Sequence, residues 1–125
     1  MFGISSYFES KLTPKIAFSD YVEKIAITDS RLEFGENSCG ETVAIIGKLK
    51  NESEIDWKDP TYEITFLDAD NNVSDTDQEN DYSFILPANE EVPFKVSIKK
   101  EFDAEKYHNY KIRLVSARTK LNFFE

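Results

Sequence analysis

The chain has few residues of several types, and each shortage excludes a class of structure or site. Its 125 residues include one cysteine, four glycines, four prolines and one histidine. Cys39 alone allows neither an intrachain disulfide nor a cysteine-based metal site, and His108 alone excludes a multi-histidine metal site. The scattered glycines match neither a dinucleotide-binding fingerprint nor a phosphate-binding loop. We therefore expect a core that folds without covalent or metal cross-links.

Long apolar runs and an excess of positive charge are also missing. No apolar stretch reaches the roughly 18 residues that read as a membrane-spanning helix. The 15 basic and 24 acidic residues give a formal charge of -9, which repels a phosphate backbone, so we expect no nucleic-acid partner. No serine lies in a G-x-S-x-G motif. The sequence therefore predicts a protein that is not an enzyme.

Aromatic side chains and a period-two pattern are what the chain does have. Aromatics make up 14% of the residues, with ten Phe and six Tyr, and such residues favour strands. Between residues 43 and 68, apolar side chains alternate with polar ones, which is typical of half-buried strands. This pattern predicts two strands that pair antiparallel through a turn around Trp57. Their inward residues are Val43, Ile45, Leu49, Tyr62, Ile64 and Phe66.

Similar alternation predicts further strands along the chain. We place them at residues 16–19, 23–34, 82–86, 92–99 and 110–118, with a turn cluster at residues 35–40. Asp103 is expected to cap a single helical turn that ends at Tyr107. We expect residues 120–125 to form a tail or a short edge strand through Leu121 and Phe123. Several short strands without long helices indicate an all-β antiparallel sandwich of about seven strands, as one domain over residues 15–125.

The first 14 residues follow a different pattern. Apolar side chains recur there at roughly the spacing of one helical face, and Pro14 ends the pattern. The segment has no basic region and no cleavage site, so we do not expect a signal peptide in it. Two interpretations remain open: a short helix docked on the sandwich, or the membrane-proximal end of a transmembrane helix that begins upstream. The apolar residues are Phe2, Ile4, Tyr7, Phe8 and Leu12.

Four short segments carry a resemblance to a known family. They are GKLKN at residues 47–51, YEITFLD at 62–68, LP at 86–87 and FKV at 94–96. In order and spacing they resemble the small immunoglobulin-like FxLYD domain. The F-x-L-Y-D motif that gives this family its name falls on residues 64–68, and of its named residues only Asp68 is retained. The resemblance implies an immunoglobulin-like β-sandwich of bacterial or archaeal proteins, often exported or membrane-tethered, with no enzymatic activity assigned to the family.

Residues 68–81 form the most acidic segment, with six carboxylates and no Lys or Arg. Several of them occupy ligand positions of a calcium loop, but Val73 replaces the glycine that its sharp turn needs and the flanks are strands, so we do not expect an EF-hand. A looser calcium site on a hairpin loop is one interpretation, and a solvated mobile loop is the other. The candidate ligands are Asp68, Asp70, Asn72, Asp75, Asp77 and Glu79.

Trp57, the single tryptophan, is the candidate partner-binding residue, since tryptophan is enriched at binding hot spots. The alternative is that its ring caps the open end of the sandwich. We expect a non-catalytic immunoglobulin-like module that contacts a protein partner or acts as a spacer in the cell envelope. The competing hypothesis is a calcium- or small-ligand-binding domain using the acidic loop, and the alternative compartment is the cytoplasm. An enzyme would require a buried polar pocket containing His108.

Overall fold

The computed structural model describes residues 16–119, which form two packed antiparallel sheets. The predicted all-β sandwich is confirmed. Short 3₁₀ turns at Phe18–Asp20 and Val22–Lys24 precede the first strand, and another at Ala104–Tyr107 precedes the last. The strands are β1 (Ile25–Asn37), β2 (Gly40–Asn51), β3 (Trp57–Leu67), β4 (Val73–Asn80), β5 (Ile85–Leu86), β6 (Glu91–Lys99) and β7 (Asn109–Thr119).

One sheet has the order β1-β2-β6, and the other centres on β3. β7 pairs with one side of β3, while β4 and the short β5 pair with its other side. The two sheets therefore have the orders β1-β2-β6 and β4-β3-β7, with β5 beside β4 on the same side of β3. On one flank β1 approaches β7, where the Ser30 and Tyr110 hydroxyls are 2.7 Å apart. On the other flank β4 and β6 are the two edge strands.

The core lies between the inner faces of the two sheets. The period-two prediction is confirmed for the buried residues of β2 and β3, and for Phe94, Val96 and Ile98 of β6. Tyr62 stacks on Phe94 across the sheets, with ring centroids 5.2 Å apart and planes 14° apart. Gly47 allows β1 to come close, since a Cβ there would be 2.9 Å from the Ser30 Cα. The apolar alternation therefore builds one continuous interior.

The predicted hairpin between β2 and β3 is wrong, because the two strands lie in different sheets. Strands that face each other across a core show the same alternation as strands that pair. Asn51, fully buried, redirects the chain between the sheets. Its Nδ2 donates to the carbonyl oxygens of Ile55, Leu86 and Pro87 at 2.9, 3.2 and 3.0 Å. Its Oδ1 accepts from the Ser53 backbone N–H at 2.9 Å.

Several predicted boundaries also change. The strand expected at residues 16–19 is wrong, since Phe18–Asp20 forms a 3₁₀ turn. The strand expected at residues 82–86 shrinks to Ile85–Leu86, because Ser83 takes a positive φ of 72° in a turn. A helical turn follows Asp103 as expected, but the side chain does not cap it.

The predicted N-terminal helix or membrane-proximal segment at residues 1–14 and the tail at 120–125 lie outside the described residues. Within residues 16–119, no helix is long and apolar enough to cross a membrane.

Candidate functional site at the β4 edge

The acidic segment is not the long loop that the sequence predicts. It forms a tight turn at residues 68–72 followed by strand β4. The Asp68 Oδ1 accepts from the backbone N–H groups of Asp70 and Asn72 at 2.9 and 3.0 Å, and Asn71 has a φ of 65°. Such a side-chain-capped turn, with its positive φ at an asparagine, is favoured by these residue types. The remaining carboxylates are therefore held on an edge strand.

The register with β3 sets the direction of these carboxylates. Asp75 pairs with Phe66, Asp77 with Ile64 and Glu79 with Tyr62. Directly paired residues of antiparallel strands point to the same face, and the β3 partners are all buried. The three acidic side chains thus face inward at the rim of the core, where they are half-buried. Inward-pointing charges on an edge strand oppose pairing with apolar strands.

A cleft of about 160 Å³ separates β4 from β6. Its walls come from the end of β4 and the middle of β6, and the buried ring of Tyr62 closes it on the core side. It is smaller than the roughly 300–1,000 Å³ of a small-molecule site. The lining residues are Tyr62, Glu79, Asn80, Asp81, Lys95, Val96 and Ser97.

The Tyr62 hydroxyl is the unusual polar group of this cleft. Tyr62 is 0% exposed, and its hydroxyl has no hydrogen-bond partner within residues 16–119. Burial raises the pKa of Tyr62 above its usual range, and the negative charge of Asp81 raises this pKa further. The hydroxyl therefore stays protonated, with both a proton to donate and lone pairs to offer.

The two carboxylates of the cleft are also perturbed. Burial raises the pKa of Glu79, and the adjacent Asp77 raises it further. Burial raises the pKa of Asp81. Lys95 is the cationic residue in the lining. Around Glu79 the charged and titratable groups are therefore Asp77, Asp81, Tyr62 and Lys95, and negative charge predominates.

The structure does not bring the six predicted calcium ligands together. Asp68 and Asn72 are part of the turn, and only Glu79 of the six lines the cleft. Within residues 16–119, no group of three or more His, Cys, Asp or Glu side chains is arranged to hold a metal ion.

Of the two interpretations of Trp57, the structure agrees with the ring at the end of the sandwich and not with an exposed contact. Trp57 begins β3 and is 1% exposed. Its Nε1 donates to the Ser53 Oγ at 3.2 Å, and its ring meets Phe18 edge-on at 5.1 Å and 87°. The ring belongs to the core at one end of the sandwich, so it is not available to a partner.

Sequence reasoning missed Tyr62, Asp81, Lys95 and Ser97 as a group. One signal was present, because acidic residues recur at alternate positions from 75 to 81. That period of two is a strand signature, but acidic residues are depleted in strands, which favours the loop interpretation.

Comparisons with protein-family models, curated proteins and solved structures gave no match. The resemblance to the FxLYD domain thus stays a prediction.

Proposed function

We propose that this domain is a non-catalytic interaction module that binds an extended basic segment of a protein partner along β4. The observation that supports this proposal is the row of inward-facing carboxylates on an edge strand. Within the described residues β4 pairs with β3 alone. Along β4 the Thr76 and Gln78 backbone N–H groups donate to the Asp75 and Asp77 Oδ1 atoms at 2.9 and 2.8 Å, and an added strand would take over these donors. Strand addition to a sheet edge is a recurring mode of peptide recognition.

Charge would select the segment. A basic side chain opposite Asp75, Asp77 or Glu79 makes a cross-strand pair of opposite charges, and each such pair contributes roughly 0.2–1 kcal/mol. An acidic segment would bring like charges together and be rejected. The same carboxylates therefore favour basic segments and disfavour acidic ones. The partner's contribution from backbone hydrogen bonds is independent of its sequence.

Capped decapeptides test this proposal. One alternates Lys and Val, the second alternates Glu and Val, and the third is the Lys peptide with every second backbone nitrogen methylated. We expect the Lys peptide to bind, with amide shifts along Val73–Asn80 in an NMR titration. The Glu peptide should not bind, and methylation should weaken binding because it removes backbone donors.

Two variants make the test specific. Asp77→Lys should abolish binding of the Lys peptide, while Asp70→Lys makes the same charge change in the preceding turn and should leave most of the binding. Equal binding of the methylated peptide, or equal losses in the two variants, would show that attraction to the overall negative charge is enough and would refute strand addition.

The setting of such a module is part of the same proposal. The resemblance to the FxLYD domain supports an exported or membrane-tethered protein of the bacterial or archaeal envelope. There the module would contact a partner protein or space other parts of an assembly.

A further inference from the structure

The cleft between β4 and β6 contains a polar group that packing does not explain. The ring of Tyr62 stacks on Phe94, and a phenylalanine would make the same contact. Its hydroxyl, however, is buried without a partner in the described chain. Leaving such a group unpaired costs about 1–3 kcal/mol. A site that supplies the missing partner would account for it.

The charges around the cleft indicate the sign of that partner. Glu79 and Asp81 line the opening, and β4 places Asp77 directly behind Glu79 on the same inner face. An anion would meet at least two carboxylates here, with Lys95 as the opposing cation. A cation would relieve the repulsion between these carboxylates, and its N–H groups could donate hydrogen bonds to them. Negative charge thus favours a cationic occupant.

Size and ligand count indicate the kind of cation. A cavity of about 160 Å³ holds the end of one side chain rather than a drug-sized molecule. Calcium takes 6–8 oxygen ligands, whereas no metal-binding group of three or more acidic, histidine or cysteine residues occurs within residues 16–119. An ammonium or guanidinium group needs fewer acceptors and presents donors in several directions.

We infer that the β4–β6 cleft binds one ammonium or guanidinium group, held by the Tyr62 hydroxyl oxygen and the carboxylates of Glu79 and Asp81. The group would donate to all three, which gives the hydroxyl the partner that it lacks in the described chain. As the side chain of a partner's basic segment, this group would anchor the strand that β4 receives, and in that respect the inference rests on the proposed function. The cleft itself is tested without a peptide strand.

The probes are N-acetyl-lysine-N-methylamide and N-acetyl-arginine-N-methylamide, with the citrulline derivative as the neutral isostere of the arginine probe. We expect saturable binding of one of the cationic probes with an affinity on the order of millimolar, as suits a single anchoring group. In NMR titrations the shifts should include the Tyr62 ring and the amides of Val96 and Ser97. The citrulline probe should bind at least about tenfold more weakly, because charge-assisted hydrogen bonds are lost.

Three variants separate this site from general attraction to an acidic protein. Tyr62→Phe should weaken the cationic probe about tenfold or more, whereas Tyr110→Phe, which removes a hydroxyl bonded to Ser30 on the opposite flank, should not change binding. Lys95→Ala should strengthen binding, because it removes the competing cation. Unfolding curves of each variant establish that the fold is kept.

Other results of these titrations would refute either the cation site or the strand addition. Equal binding of the citrulline probe, or unchanged binding to Tyr62→Phe, would overturn the cation site. Calcium shifting the same residues more strongly than either probe would replace it with a metal site. Binding of the capped probes without binding of the Lys peptide would leave the cleft in place and refute strand addition, and the reverse result would keep strand addition and refute the cleft.

Discussion

The hydroxyl of Tyr62 gives a prediction that separates stability from binding. Tyr62→Phe removes one buried atom and keeps the ring that stacks on Phe94. Because the hydroxyl has no partner within residues 16–119, removing it should relieve part of a desolvation penalty of about 1–3 kcal/mol. We expect the free energy of unfolding to rise by about 1 kcal/mol. For a domain of this size that corresponds to a melting temperature about 3–6 °C higher.

The matched change is Tyr110→Phe, which loses the hydrogen bond to Ser30 and should lower the free energy of unfolding by about 0.5–1.5 kcal/mol. Urea titration with an unchanged m-value measures both effects as changes in stability alone, and calorimetry gives the melting temperatures. If Tyr62→Phe destabilises the protein as much as Tyr110→Phe does, the hydroxyl has a partner in the free protein. In that case the cleft would contain no unmet hydrogen bond.

Four further predictions concern the rest of the fold. Gly47→Ala should cost about 1–3 kcal/mol, since its Cβ would meet the Ser30 backbone at 2.9 Å; Gly35→Ala, whose Cβ would meet only the Thr42 hydroxyl at 3.2 Å, should cost clearly less in the same urea assay. Asn51→Ala should lower the free energy of unfolding by more than about 3 kcal/mol, because several buried carbonyl and N–H groups lose their partner. A loss below about 1 kcal/mol would contradict the importance of these hydrogen bonds. The raised pKa values of Glu79 and Asp81 mean that the folded state holds more protons than the unfolded state. Their contribution to stability is therefore fully present below the unfolded-state pKa of about 4 and falls as the pH rises above it. Glu79→Gln should flatten that part of the stability profile, and an unchanged slope would contradict the burial of this carboxyl. Calcium at millimolar concentration should not raise the melting temperature, because the six candidate ligand residues of the acidic segment do not converge on one point. A clear rise would contradict the placement of the turn and β4.

The sequence predicts the interior of this fold well where a strand is apolar on one face. Phe94, Val96 and Ile98 alternate with Lys95, Ser97 and Lys99, and the structure buries the first three. This works because burying apolar surface dominates the choice of face. The partner of each strand is not encoded in the same pattern. The alternation therefore predicts a pairing of β2 with β3, whereas these strands lie in facing sheets.

The candidate site was predictable only in part for the same reason. Acidic residues have low strand propensity, so β4 is recognisable as a strand only by the alternate spacing of its carboxylates. Its inward direction depends on the register with Tyr62, Ile64 and Phe66, which is a long-range property. Trp57 shows the converse case, because its polar sequence neighbours conceal a buried ring.

The most direct test of the account is an NMR titration of the labelled protein with the alternating Lys and Val decapeptide. The account predicts saturable shifts of the backbone amides along Val73–Asn80 and of the Tyr62 ring. It also predicts that Tyr62→Phe binds this peptide more weakly. Shifts confined to other surfaces, or no binding at all, would contradict the claim that the β4 edge and its cleft receive a basic segment.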